Sequence, residues 1–193
     1  MIRPAELADI PAILDIYGPY ILNTTVTFEY DVPSREAFTE RFLTYTAQFP
    51  WLVWEENGEI LGYAYASPPY ARAAYRWCAE PSVYLRPDAR GKGIAAKLYD
   101  TLEKILDYQG YQVFYALITS ENIPSLRFHE KCGYAKRAEF PDCGFKFGRW
   151  LGIFWLEKRL KTVEIPSKSP TPWQAIRQDA QKFSDILDIL SLS

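Results

Sequence analysis

The chain has 193 residues, 48% hydrophobic and 24% charged, enough for one domain with a real core, or one domain plus an appendage, and too few for two ordinary domains. Its 22 basic and 24 acidic residues leave a formal net charge of −2, so no whole-molecule field draws in a polyanion, and any nucleic-acid or phosphate site must be local. An aromatic content of 16% speaks for a folded chain and against disorder.

Glu6 and Asp9 interrupt the stretch where a signal peptide needs an apolar core, and no apolar run approaches membrane-spanning length, so a cytoplasmic protein with no membrane partner is expected. A short strand is predicted at Ile2 to Pro4. A helix then begins near Asp9, with Pro11 in its first turn and Ile10, Ile13, Leu14 and Tyr17 on one face. Asn23 to Tyr30 reads as irregular. Ser34 caps a second helix carrying Phe38, Phe42 and Tyr45. Trp51 to Glu55 and Glu59 to Ala66 form a hairpin turned at Asn57-Gly58, whose residues tolerate positive φ.

A strand ending at Ser82-Val83-Tyr84-Leu85 leads through Arg86 to Gly93 into a long helix, Ile94 to Tyr108, with Leu98, Leu102, Ile105 and Leu106 inward and Gly110 at its end. Tyr111 to Ile118 is a buried-type strand, Ile123 to Lys131 a short helix, and Tyr134 to Phe140 and Trp150 to Arg159 two further strands. The pattern predicts an α/β (α+β) fold, a mixed sheet of about six to seven strands flanked by helices. The main domain is expected over 1–162 and a Pro/Ser-rich linker over 163–172. A capping-box-like start at Thr171, Pro172 and Gln174 opens an amphipathic helix over 173–193, with Trp173, Ile176, Ala180, Phe183, Leu187 and Leu190 on one side. That helix packs either on its own domain or on a partner.

Cys78, Cys132 and Cys143 form no Cys-x-x-Cys pair, and with His129 as the single histidine they do not make the usual structural zinc set. No metal and no disulfide framework is expected. The most informative segment is Arg90-Gly91-Lys92-Gly93-Ile94-Ala95-Ala96, between a strand and a long helix. A dinucleotide fingerprint would need the turn directly after the strand and an acid about 20 residues on, whereas five residues separate Leu85 from Gly91 and no acid follows in range; the Gly-Lys-Ser/Thr ending of a P-loop is also missing. A pyrophosphate site is nevertheless physically sound. Two glycines admit close backbone approach, the helix N-terminus presents free N–H groups, and Arg90 and Lys92 supply local positive charge.

As Arg-x-x-Gly-x-Ala preceded by Val83-Tyr84-Leu85, this segment resembles the acetyl-CoA site of the GNAT N-acetyltransferase superfamily. Asn122 to Tyr134 resembles the superfamily's next strand-to-helix element. Trp77 to Tyr84, Phe145 to Trp150 and Asn23 to Phe28 narrow the likeness to the phosphinothricin and methionine sulfoximine N-acetyltransferase group, over about residues 2 to 158. The resemblance implies a GNAT fold with an extra C-terminal helix, acetyl-CoA as co-substrate, and a homodimer. It implies cofactor contacts from Val83, Tyr84, Leu85, Arg90, Gly91, Lys92, Gly93, Ile94, Ala95, Ala96, Asn122 and Ser125.

The resemblance also assigns Glu80 as general base for an amine, the alternative being an ion pair with Arg72 or Arg76. His129 stands where many members hold a thiolate-protonating tyrosine, and serves either there or in orienting its helix. For the acceptor, the loop Pro69 to Trp77 combines the guanidinium groups of Arg72 and Arg76 with aromatics, which suits a small carboxylate- or phosphinate-bearing amine, and the resemblance implies Phe28, Tyr75, Lys146 and Phe147 as the remaining walls. The basic loop is otherwise simply solvated, and Lys146 and Arg149 otherwise face a dimer partner. The implied reaction is acetylation of the α-amino group of a small amino acid or its toxic analogue. The competing readings are another amine (polyamine, aminoglycoside or protein N-terminus) and a non-catalytic acyl-CoA sensor.

Overall fold

The computed structural model describes residues 1–160, 165–166 and 168–191. In chain order the elements are β1 (Ile2–Pro4), α1 (Ile10–Asn23), α2 (Arg35–Thr46), β2 (Trp51–Glu56), β3 (Glu59–Ser67), β4 (Cys78–Leu85), α3 (Ile94–Gln109), β5 (Val113–Thr119), α4 (Ile123–Lys131), β6 (Ala135–Lys146), β7 (Arg149–Arg159), α5 (Trp173–Gln178) and α6 (Ala180–Ser191). The local chemistry behaves as the residues dictate. Ser34 accepts from the Ala37 N–H to start α2, Asn57 and Gly58 take φ of 53° and 80° in the β2–β3 turn, and Gly110, at φ 100°, ends α3.

The strands form one mixed sheet in the order β1-β2-β3-β4-β5-β7-β6. β1 to β4 are antiparallel, β4 and β5 parallel, and β5 to β6 antiparallel through β7. Each face has its own core. Leu98, Leu102, Ile105 and Leu106 of α3 pack on Ala64, Ala66, Ala79 and Phe114. On the other face Ile13, Tyr17, Phe38 and Phe42 of α1 and α2 meet Trp51, Val53 and Tyr63. The sheet is irregular at its centre: β4 pairs with β5 at Cys78 and Ala79, although both strands run on for several residues.

Three sequence expectations change. The strand predicted to stop at Phe140 runs to Lys146, because β6 is an edge strand in which a register shift between Phe140 and Gly144 absorbs Pro141 and the positive-φ Asp142. The single helix predicted over 173–193 is two, broken at Asp179. That residue has extended backbone, and its side chain accepts from the Lys182 N–H to start α6. The predicted capping-box start at Thr171 and Gln174 is not formed, since Pro172 stands at the cap position with no side-chain hydrogen bond. Trp173, Ile176 and Ile186 enter the α3-side core, so α5 and α6 pack on their own domain. The predicted domain end at 162 and positions 163, 164 and 167 of the linker lie outside the described residues, as do 192 and 193.

Candidate active site

Beyond Ala79 the sheet opens between β4 and β5. A cavity of about 80 Å³ in the opening is lined by residues including Glu80, Val83, Tyr84, Asn122, Ser125 and His129. Strand backbone that loses its neighbour must find other partners. Pro81 has no N–H to lose, and its carbonyl accepts from Tyr99 Oη at 3.1 Å. The two-residue period of a strand places the Val83 N–H and C=O on that same open edge. Leu85 follows in the same phase, but Tyr20 closes it off, donating to the Leu85 carbonyl at 2.7 Å and accepting from its N–H at 3.4 Å. Of the Val83 to Leu85 N–H groups, Val83 therefore presents the open one.

At the far end of β4, Gly91 and Gly93 have φ of 75° and 80°, and a β-carbon built on either meets nothing within 4 Å. Both glycines thus hold a left-handed turn and leave open space in front of it. Gly93 precedes α3 without a side-chain cap, so the N–H groups of the first turn, Ile94 to Ala96, have no helical partner. Arg90 and Lys92 are exposed beside them, with the Arg90 guanidinium 5.2 Å from the centre of the Tyr20 ring. An open glycine turn, uncapped N–H groups and two cations fit a pyrophosphate.

Across the opening, Asn122 caps α4 by accepting from the Ser125 N–H at 3.2 Å, which leaves its amide N–H groups unspent by the cap. His129 is buried at 7% exposure. Its Nδ1 lies 2.8 Å from the Ser125 carbonyl and its Nε2 3.0 Å from Tyr99 Oη. Burial pushes this imidazole below its ordinary pKa, against the pull of the Ser125 carbonyl.

Glu80 belongs to the other face of β4, which it shares with Cys78 and Ser82 by the period of two. Burial raises its carboxyl above the ordinary pKa, with no counter-charge to offset it. The alternative pairing with Arg76 or Arg72 is not formed. Arg76 donates to the Ala73 carbonyl and to Ser169 Oγ and lies over Trp77. Neither thiol nearby is a nucleophile by environment: burial raises Cys78 and pushes Cys132 up to about 11.

Along the Glu80 face, Tyr65 pairs with Ser82 across the strands and Tyr45 stacks on Tyr65 at 6.3 Å. Tyr45 then lines a cavity of about 520 Å³ with Tyr70, Arg72, Tyr75, Arg76 and Cys78. The six predicted acceptor residues are therefore divided. Arg72, Tyr75 and Arg76 share this cavity, whereas Phe28, Lys146 and Phe147 lie where the loop after α1 meets the β6–β7 turn.

Lys146 is a correction in its own right. Its ammonium, buried at 2% exposure, donates to the carbonyls of Ile21, Thr24 and Thr27 at 2.8, 2.9 and 2.7 Å. All three of its donors are spent on pinning the loop, so neither a ligand nor a dimer partner can take them. The Phe28 ring packs directly on Gly144, where an added β-carbon would collide with it. Thr119 Oγ1 donates to the Thr25 carbonyl at 2.5 Å, which holds the same loop over the end of β5.

Sequence reasoning missed Tyr20, Tyr65 and Tyr99, which the folded chain brings to the two faces and the open edge of β4. A signal existed for Tyr99. It stands at an inward position of α3, next to Leu98, where a phenol must find a polar partner. Among the described residues no group of three or more His, Cys, Asp and Glu side chains is gathered to hold a metal ion, and no helix is long and apolar enough to cross a membrane.

Comparison with known proteins places this geometry. A family profile described as the acetyltransferase (GNAT) domain matches residues 2–155. The phosphinothricin N-acetyltransferase of Streptomyces viridochromogenes is 35% identical over 178 residues, 92% of this chain and 94% of that protein. That match runs past residue 161 into the C-terminal segment. The L-methionine sulfoximine/L-methionine sulfone acetyltransferase of Salmonella typhimurium is 35% identical over 168 residues, 86% of this chain and 97% of that protein. Among solved structures, a phosphinothricin acetyltransferase from Sinorhizobium meliloti in complex with acetyl-CoA superposes with a TM-score of 0.85 at 34% identity, covering 90% of this chain and 96% of its own.

Proposed function

Because the chain belongs to the GNAT acetyltransferase family and is thus an N-acetyltransferase, we propose that it acetylates the α-amino group of a small amino acid or toxic analogue, of the phosphinothricin and methionine sulfoximine type, with acetyl-CoA as donor and Glu80 as general base. One observation carries the reading: Glu80 is a partly buried carboxylate with no ion-pair partner among the described residues, at the point where β4 leaves β5, and burial raises its pKa.

An ammonium has no lone pair for attack. An amine of pKa about 8 to 10 is only about one part in ten to one in a thousand neutral at pH 7, a barrier of roughly 1.4 to 4 kcal/mol that a base relieves. A carboxylate whose own pKa is raised is the better acceptor for that proton, directly or through one water. On the edge of the same strand that faces the opening, the Val83 N–H would serve the thioester carbonyl oxygen as it gathers charge. The Gly91 to Gly93 turn and the first N–H groups of α3, with Arg90 and Lys92, would hold the pyrophosphate, and the Asn122 amide would hold the pantetheine arm. Attack is then direct, without an acyl-enzyme, as no activated thiol is at hand.

Arg72, Tyr75 and Arg76 around the larger cavity suit an acceptor bearing a carboxylate, and their positive rim disfavours a polycationic amine. We assign the protein to the cytoplasm and to a homodimer, whose contact includes the exposed Phe145, Phe147 and Trp150 of the β6–β7 turn. The reading is tested by acetyl-CoA-dependent thiol release against a panel of amino acids and analogues, beside Glu80→Gln. Turnover of amino-acid acceptors that collapses in the variant is expected. Cofactor binding without thiol release from any amine would point instead to a sensor.

A further inference from the structure

We propose that Tyr99 and His129 are a positioning pair for acetyl transfer, holding the open edge of β4 in place through the Pro81 carbonyl. The inference rests on the reading that the Val83 N–H serves the thioester oxygen. Where β5 departs, the Pro81 carbonyl has lost a strand partner, and a buried carbonyl without one is costly. Tyr99 Oη takes the place of that partner at 3.1 Å. The phenol is fully buried, and its ring is fixed by edge-to-face contacts with Phe128 at 5.3 Å and His129 at 5.2 Å.

We take the buried imidazole as neutral. His129 Nδ1 lies 2.8 Å from the Ser125 carbonyl and 3.3 Å from Ser125 Oγ; the carbonyl, the shorter contact, can only accept, so the hydrogen is assigned to Nδ1. A neutral imidazole carries one N–H, so Nε2 is an acceptor and Tyr99 Oη, 3.0 Å away, is its donor. The single hydroxyl proton of Tyr99 is then shared between two acceptors, Nε2 on α4 and the Pro81 carbonyl on β4. One oxygen thus couples α4 to β4 two residues from Val83. His129 acts through Tyr99, and its Nε2 has no proton to give to a departing thiolate.

The chain has one histidine, so long-range 1H–15N correlation of the imidazole reads His129 without assignment. The expected result for the wild-type protein near neutral pH is a protonated Nδ1 and a hydrogen-bonded, unprotonated Nε2. Tyr99→Phe keeps the ring and removes the hydroxyl. It should shift the Nε2 resonance and lower kcat about tenfold, with KM for the amino-acid acceptor unchanged. His129→Gln, which returns an acceptor near the Nε2 position, should keep most of the wild-type kcat, while His129→Leu should fall with Tyr99→Phe.

A proton on Nε2 in the wild type overturns the proposal, as does a Tyr99→Phe enzyme with wild-type kcat, or equal losses in His129→Gln and His129→Leu. Should Tyr99→Phe fail to fold, the wild-type tautomer and the two His129 variants still decide. Failure of the acceptor reading looks different, because the wild-type protein itself would then turn over no amino acid.

Discussion

The two sides of β4 are built from different materials. The side toward β5 and α3 is made of backbone: an open strand edge at Val83, a glycine turn, and the unpartnered N–H groups of a helix. The opposite side is made of side chains, namely Glu80, the Tyr45 and Tyr65 rings, and a cavity edged by Arg72, Tyr75 and Arg76. A backbone site depends on where the chain goes and tolerates many residues, provided glycine stands where φ is positive. A side-chain site can change its ligand by exchanging one residue. The difference suits an enzyme whose donor is constant and whose acceptor varies among relatives.

Substitutions can break this division from either side. The largest effect is expected at Glu80. Replacement by Gln should lower kcat by about a hundredfold through loss of the base, while acetyl-CoA affinity, measured by calorimetry, stays the same. In the wild-type enzyme, the acid limb of kcat/KM should lie above the ordinary carboxylate range, since burial raises the Glu80 pKa. Next comes the backbone side. Gly93→Val forces a β-branched residue into φ of 80° and fills the space before the turn, and should raise KM for acetyl-CoA about tenfold with KM for the acceptor unaltered. Arg72→Ala should do the reverse, raising the acceptor KM about fivefold because an exposed guanidinium contributes modestly. An equal rise in both constants for either variant would dissolve the distinction between the sides.

The smallest effect concerns stability. A carboxyl raised by burial makes the folded state bind its proton more tightly than the unfolded chain does. The resulting penalty is absent below the ordinary carboxylate pKa and grows as pH rises through the raised value. Glu80→Gln should therefore raise Tm by a few degrees at neutral pH, and the gain should vanish near pH 4. An unchanged Tm at pH 7 would mean that burial costs the carboxylate nothing.

How much of this was readable beforehand follows the same division. Local signals specify the backbone side: Asn57-Gly58 turns the hairpin, and Leu98, Leu102, Ile105 and Leu106 lie inward as their spacing predicts. The Gly91 and Gly93 pattern marks the turn before α3. Lys146 was misread because its partners, three carbonyls in a loop about 120 positions away, leave no trace in local sequence. Asp179 was passed over because the apolar spacing of threes and fours continues across it, although an Asp before Ala-Gln-Lys is an ordinary helix start. Several aromatic rings serve the core and the site together. Tyr65 and Tyr84 stand between the α1 and α2 core and the strand that carries Glu80.

Burying the single imidazole has a consequence for the molecule as a whole. Most proteins change net charge between pH 5.5 and 7.5 because surface histidines titrate. Here the one histidine is buried and shifted downward, and among the described residues the carboxyls pushed upward are those of Glu80 and Glu103. No surface imidazole therefore changes the charge of the molecule over that window. The field met by an approaching anionic donor is then set over that window without a histidine switch at the surface.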